Sequence, residues 1–243
     1  KSIETSVLPI QLAIQLKDSL KLTDLLLKKG TAFLKMNLRD SALVDFKRGI
    51  KIGEAIKAYE DLAFTYNNLG VLYIQQGIFD LASECLIKSL ENRRLNGMKI
   101  KPSILLNIGG VAMETNNWEL ALEYNQQALD SSIAENDIHS EGMSYQNIGA
   151  LLTKMKRYEE AIEYLNKSNE INMKLNDSSA MVKYYIGLGD IYKKQNQIEK
   201  CIENYRLAKL HFPVGGSKRQ FMYLNLDLAN AYYIESSTSE SYD

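Results

Sequence analysis

Two cysteines and two histidines are all that 243 residues offer as thiol or imidazole ligands. Cys85 and Cys201 lie 116 positions apart, and His139 and His211 have no cysteine or carboxylate at metal-ligand spacing. The chain therefore points to no metal, no cofactor and two free thiols, with the redox compartment left open. An excess of charge is also missing: 29 Lys and Arg face 30 Asp and Glu. A neutral chain has no cationic surplus to release counterions from nucleic acid or to dock on an anionic membrane, so neither is an expected partner. No apolar run approaches the roughly 18 residues of a membrane span, and the first residues lack a signal-peptide core. The chain begins with Lys1 rather than Met, as a processed or trimmed product would, which leaves its localisation unknown.

Catalytic motifs are absent too. Gly215-Gly216-Ser217-Lys218-Arg219 has neither the preceding strand nor the spacing of a phosphate loop and reads as a turn with an N-cap. Gly187-Leu188-Gly189 falls within a helical stretch and reads as packing. The cluster Arg93, Arg94, Lys99 and Lys101 stands alone on a neutral chain and reads as a solvated bend. No residue is expected to be catalytic, and the chain is not expected to be an enzyme.

What is present is periodicity. Gly30, Gly70, Gly109, Gly149, Gly189 and then Ala229 recur at four steps of 40 residues and one of 39. Twelve residues beyond each stands a second small residue, Ala42, Ala82, Ala121, Ala161 and Cys201; seven further on come Gly49, Ser89, Ala128, Ser168 and Ala208. Large residues flank the glycine, with Leu26, Tyr66, Leu105, Tyr145 and Tyr185 four before it, and another large column holds Phe46, Leu86, Leu165 and Tyr205. Spacings of three, four and seven place these residues on single helix faces, two helices to each unit. Small residues let helices approach where they cross, and large ones fill the space beside them. Asn37, Gly77, Asn116 and Asn196 suit the left-handed turn between the helices, while Asp18, Gly97, Asp137, Asp177 and Ser217 suit the N-cap of the first helix; Ala58 breaks that pattern. An apolar fraction of 45% and a charged fraction of 24% are those of a chain able to bury a core.

Asn147-Ile148-Gly149 followed by Tyr158-Glu159-Glu160-Ala161-Ile162-Glu163-Tyr164-Leu165, and Trp118-Glu119-Leu120-Ala121-Leu122-Glu123-Tyr124 with Ala128, resemble the tetratricopeptide repeat family over about 18–233. The 40-residue period is similar to the extended subgroup found in kinesin light chains and bacterial receptors for signalling peptides, since ordinary members repeat every 34 residues. Lys29, Arg39, Ala112 and Asn125 depart from the pattern, and Pro213 alone keeps the family's terminal proline. The resemblance implies an all-α, right-handed superhelical solenoid of antiparallel helix pairs. It reads as one domain over 1–243, with units at about 18–57, 58–96, 97–136, 137–176 and 177–216 and a partial unit at 217–243. Both ends look cut: Pro9 to Lys17 reads as the tail of a second helix, Phe221 to Tyr233 as an unpartnered first helix, Ser236 to Ser241 as a polar loop, and Tyr242-Asp243 as the opening of another helix.

The same resemblance implies a peptide or protein segment as partner, held in a concave groove lined by the first helices. Asn68, Asn107 and Asn147, each two residues before the glycine, form a ladder that ends at Lys28 and Gly187. A carboxamide both donates and accepts, so such a ladder can hold an extended backbone, or it can tie neighbouring helices together. Family geometry adds Phe64, Asn67, Val71, Leu106, Gly110, Met113, Met143, Gln146, Ala150 and Thr153, with Lys183, Asp190 and Lys193 in the fifth unit. Met113 and Met143 suit an adaptable ligand surface or a core equally well. The lysines suit an acidic group or a carboxyl end, on a regulatory protein's sensory or interaction part. Two further readings remain open: a second copy paired through the terminal helix at Leu224, Leu228 and Tyr232, and repeats appended to a catalytic or DNA-binding domain.

Overall fold

The computed structural model describes residues 4–239, with side chains over 8–237. Every regular element among the described residues is an α-helix. The chain forms two compact units, Lys1–Tyr124 and Asn125–Asp243. The first contains α1 (Glu4–Gln15), α2 (Ser19–Lys35), α3 (Arg39–Ile56), α4 (Tyr59–Gln76), α5 (Phe79–Leu95) and α6 (Pro102–Glu114). The boundary falls within α7 (Trp118–Glu135). The second unit continues with α8 (Ile138–Lys154), α9 (Tyr158–Lys174), α10 (Ser178–Lys194), α11 (Ile198–Leu210) and α12 (Lys218–Ser239). In each unit the strongest contacts join the helices of one repeat, α2 with α3 and α4 with α5, then α8 with α9 and α10 with α11.

Local chemistry sets where the helices begin and end. The carboxylates of Asp18, Asp137 and Asp177 accept from the backbone N–H groups of Lys21, Ser140 and Ala180, satisfying donors that the first helical turn leaves open. Asn37, Gly77, Asn116 and Asn196 take the left-handed conformation as expected. Gly97 does not cap a first helix. It also has positive φ and terminates α5, with Met98 N–H bonding back to Arg93 O, and α6 starts only at Pro102. Proline suits the first turn of a helix and disfavours helical backbone in the residue before it, so α6 starts late and runs only 13 residues.

The small and large columns meet as knob and hole. A Cβ placed on Gly30 would lie 2.5 Å from Phe46 Cε1, and one on Gly70 or Gly149 would lie 2.8 Å from Leu86 Cγ or Leu165 Cγ. Gly189 stands in the same relation to Tyr205. Serine in the small column does more than leave room: Ser89 Oγ donates to Ala63 O at 2.7 Å and Ser168 Oγ to Gly142 O at 2.9 Å, linking the two helices of a repeat.

Departures from the repeat pattern are compensated locally. Lys29, in a core column, reaches Asp45 on α3 at 3.1 Å, so a buried carboxylate meets a cation instead of an apolar side chain. Arg93 belongs to no solvated bend. It is 3% exposed, donates to Lys99 O at 3.1 Å and lies over the Phe64 ring, holding the segment between α5 and α6. Ser236 to Ser239 is helical rather than loop, because α12 continues through it; Tyr242-Asp243 lies outside the described residues.

Candidate functional site

In the Asn125–Asp243 unit the first helices α8 and α10 flank a pocket of about 500 Å³. Gln146, Ala150, Thr153, Lys183, Asp190 and Lys193, all expected at a ligand surface, line it together. Helical spacing explains the convergence: Gln146, Ala150 and Thr153 repeat at four and three along α8, and Lys183, Asp190 and Lys193 at seven and three along α10. Lys154, Leu165, Gly187 and Lys194 complete the lining and were not anticipated. Lys154 and Lys194 each follow an anticipated residue, Thr153 or Lys193, and could have been found by widening the face by one position.

Gly187 is the informative addition. It occupies the column that holds asparagine in earlier units, and a Cβ there would touch only Leu165, at 3.4 Å. A missing side chain at this column leaves Leu165 as the apolar floor of the pocket.

Charge around this floor is one-sided. Four lysines face one carboxylate. Among the described residues none of the four makes a salt bridge. Lys154, Lys193 and Lys194 stand in the last turns of their helices, where the macrodipole favours a cation. Lys183 lies mid-helix and gains nothing from that field. The Asp190 carboxylate accepts from Tyr205 Oη at 2.6 Å. Burial pushes its pKa above the usual value, opposed by the Tyr205 hydrogen bond, raised further by Asp227 and lowered by Lys193 and Lys194.

The asparagine ladder divides. Asn68 Nδ2 donates to Thr31 Oγ1 at 2.9 Å, tying α4 to α2, and Asn147 Nδ2 donates to the buried Asn125 Oδ1 at 3.0 Å. Both carboxamides are engaged inside the protein. Asn107 is half-buried and, among the described residues, makes no side-chain hydrogen bond. Asn67 is half-buried beside Asn68, and its Oδ1 is buried without a partner. Leu106 is 5% exposed and presents no surface; Phe64 is half-buried beneath Arg93; Met143, at 42%, is open to solvent.

Leu224 and Leu228, expected to pair with a second copy, are 2% and 8% exposed and join the core formed with α11. Tyr232 is exposed, as are Phe221, Met222, Tyr223, Leu226 and Tyr233 on α12. Both cysteines are free and buried, and burial pushes the Cys85 thiol up to about 11. No group of three His, Cys, Asp or Glu side chains among the described residues could hold a metal ion, and none of their helices is long and apolar enough to cross a membrane.

Comparison with known proteins agrees with this architecture. BtubC (BKLC) from P. vanneervenii is 18% identical with a TM-score of 0.71, over 86% of this chain and 89% of its own. The apo quorum sensor NprR from B. thuringiensis is 14% identical with a TM-score of 0.75, over 95% and 65%. YrrB, described as a TPR protein with an unusual peptide-binding site, is 18% identical with a TM-score of 0.58, over 83% and 91%. No curated protein sequence matches significantly. Tetratricopeptide repeat profiles match residues 65–94, 101–174 and 140–209, more than half of the sequence. With this coverage and these recurring helix pairs, the chain belongs to the tetratricopeptide repeat family.

Proposed function

We propose that this chain is a non-enzymatic interaction module that holds an extended peptide or protein segment, with an acidic group of the ligand in the lysine pocket of the Asn125–Asp243 unit. The observation that carries the reading is the pocket itself: four lysines without salt bridges around an apolar floor. A carboxylate entering it meets cations with no salt bridge to give up, while its neighbouring atoms cover Leu165. That YrrB is described as having a peptide-binding site, and NprR as a quorum sensor, supports a ligand-holding role in a larger regulatory protein. In the Lys1–Tyr124 unit, Asn107 has an uncommitted carboxamide suited to a main-chain contact of its own.

The test is charge reversal at Lys183 and Lys193. In the double Glu variant, acidic peptides should lose affinity selectively, and more at low salt, where the screening length is longer. Equal retention of acidic and neutral peptides would defeat the proposal.

A second reading is favoured by Met222, Leu226 and Tyr233, which give α12 an exposed apolar face for a second copy. Mass measurement across a concentration series tests it. Replacing Leu226 and Tyr233 by serine should shift a dimer to monomer.

A further inference from the structure

A second cavity, of about 380 Å³, lies between α10 and α12 in the same unit and is closed at one end by the segment joining α11 to α12. Lys183 lines both cavities. The walls are otherwise mainly apolar: Val182 and Ile186 from α10, Phe212 and Pro213 from the connecting segment, and Tyr223 and Leu224 from α12. Asp227 is its other charged lining residue.

The connecting segment is built to hold this shape. Gly215 has φ of +85°, and a Cβ on Gly216 would lie 2.7 Å from Phe212 Cε1 and 3.0 Å from Pro213 O. Phe212 also meets Phe221 edge to face, with centroids 5.0 Å apart. The glycines of Gly215-Gly216-Ser217 thus let the turn close tightly against Phe212, which becomes a wall of the cavity.

Register relates the two cavities. Lys183 and Gly187 stand six and two residues before Gly189, as Tyr223 and Asp227 stand before Ala229. Equivalent faces of successive first helices therefore contribute to a lysine-rich cavity and then to an apolar one. The two cavities lie on either side of α10, and a helix with its side chains is roughly 10–12 Å across, a distance spanned by about three residues of extended chain.

We infer that the two cavities are consecutive subsites for one extended peptide bearing an acidic group and, about three residues away, a large apolar side chain. The acidic group meets Lys154, Lys183, Lys193 and Lys194; the apolar side chain lies against Ile186 and Phe212. Asp227 repels an acidic residue from the second subsite, so the pair cannot be exchanged between cavities without loss. This inference rests on the peptide-holding reading above and specifies its ligand.

The experiment uses the full chain and a library of nonapeptides randomised at every position, followed by titration of synthetic peptides made from the enriched set. Enriched peptides should carry Asp or Glu three positions from Leu, Ile, Met or Phe. Exchanging that apolar residue for Ala should weaken binding roughly tenfold, the scale expected for burying one such side chain. Gln220, exposed at the rim of the second cavity, gives a variant that fills it: Gln220→Trp should reduce the apolar preference to less than about twofold while the acidic preference stays, on the same burial scale. Ser179→Trp fills the same cavity from α10 and replaces that variant if its helicity is lost.

Peptides that require the acid but are indifferent to the apolar residue would overturn the two-subsite inference and leave the peptide-holding reading standing. So would a Gln220→Trp variant, of unchanged helicity, that keeps the full apolar preference. Failure of any peptide to bind would overturn both.

Discussion

The two compact units place different residues in the same repeat column. In Lys1–Tyr124 the column holds Asn68, whose carboxamide donates to Thr31 and binds α4 to α2. In Asn125–Asp243 it holds Gly187, and the absent side chain leaves Leu165 at the bottom of a pocket. Charge follows the same contrast. A cavity of the first unit gathers Glu54 and Glu91 with Lys57 and Lys88, two of each sign, whereas the pocket of the second sets four lysines against one carboxylate. On one backbone plan, this single column thus ties helices at Asn68 and Asn147, leaves the Asn107 carboxamide without an internal partner among the described residues, and leaves the surface open at Gly187.

The most severe disruption of that plan should be Gly149→Leu. Its Cβ would meet Leu165 Cγ at 2.8 Å and Ala161 O at 3.2 Å, so overpacking should cost about 1–3 kcal/mol or more in thermal or denaturant unfolding. Gly110 has nothing within 4 Å of such a Cβ, and Gly110→Ala should stabilise by up to about 1 kcal/mol through helix propensity. Equal responses at the two glycines would break the knob-and-hole assignment.

Next in size is the difference between ladder members. Asn147→Ala removes the donor to buried Asn125 and should destabilise by about 1–3 kcal/mol, whereas Asn107→Ala should cost less than about 0.5 kcal/mol. If affinity for a captured peptide falls in the Asn107 variant, the free carboxamide is a ligand contact; if it is unchanged, the main chain is held elsewhere.

Asp190→Asn sharpens the electrostatic half of the comparison. Burial raises the folded pKa of Asp190, so its contribution to stability is fully present below the unfolded pKa and is lost as pH rises through the folded value. The Asn variant should therefore lack this acid-side dependence and be at least as stable as the wild type at neutral pH, with the Tyr205 hydrogen bond retained by the amide oxygen. It should also bind acidic peptides more tightly, because the pocket loses its one negative group. Unfolding scans from pH 4 to 7 and peptide titrations read the two effects.

A modest change is also expected at Lys156, whose φ of +63° ends α8 in a conformation that a Cβ disfavours. Lys156→Gly should stabilise by roughly 0.5–1 kcal/mol, measured by thermal unfolding.

Periodicity made the helix pairs legible because each column is under a packing constraint that only a few residue types satisfy. Gly30 against Phe46 and Gly149 against Leu165 are readable from spacing alone. Gly97 misled because glycine serves equally well to end one helix and to precede another, and Pro102 decided between them. Six pocket residues were legible because the family resemblance assigns this face of the first helices to a groove. Leu165 was recognised as a packing residue, but its second role depended on what a neighbouring helix lacked, and Arg93 looked solvated because its carbonyl and aromatic partners carry no charge to mark them.

Leu165 and Tyr205 fill the holes at Gly149 and Gly189, yet one also floors the pocket and the other also holds Asp190. Occupancy and folding therefore draw on the same side chains. A ligand that covers Leu165 adds its binding free energy to the repeats that supply those knobs, by mass action, and in an array stabilised mainly by neighbour contacts that gain stays concentrated near the site. Amide exchange should then slow most in α8 to α11 when ligand is present, turning local unfolding into a report of occupancy.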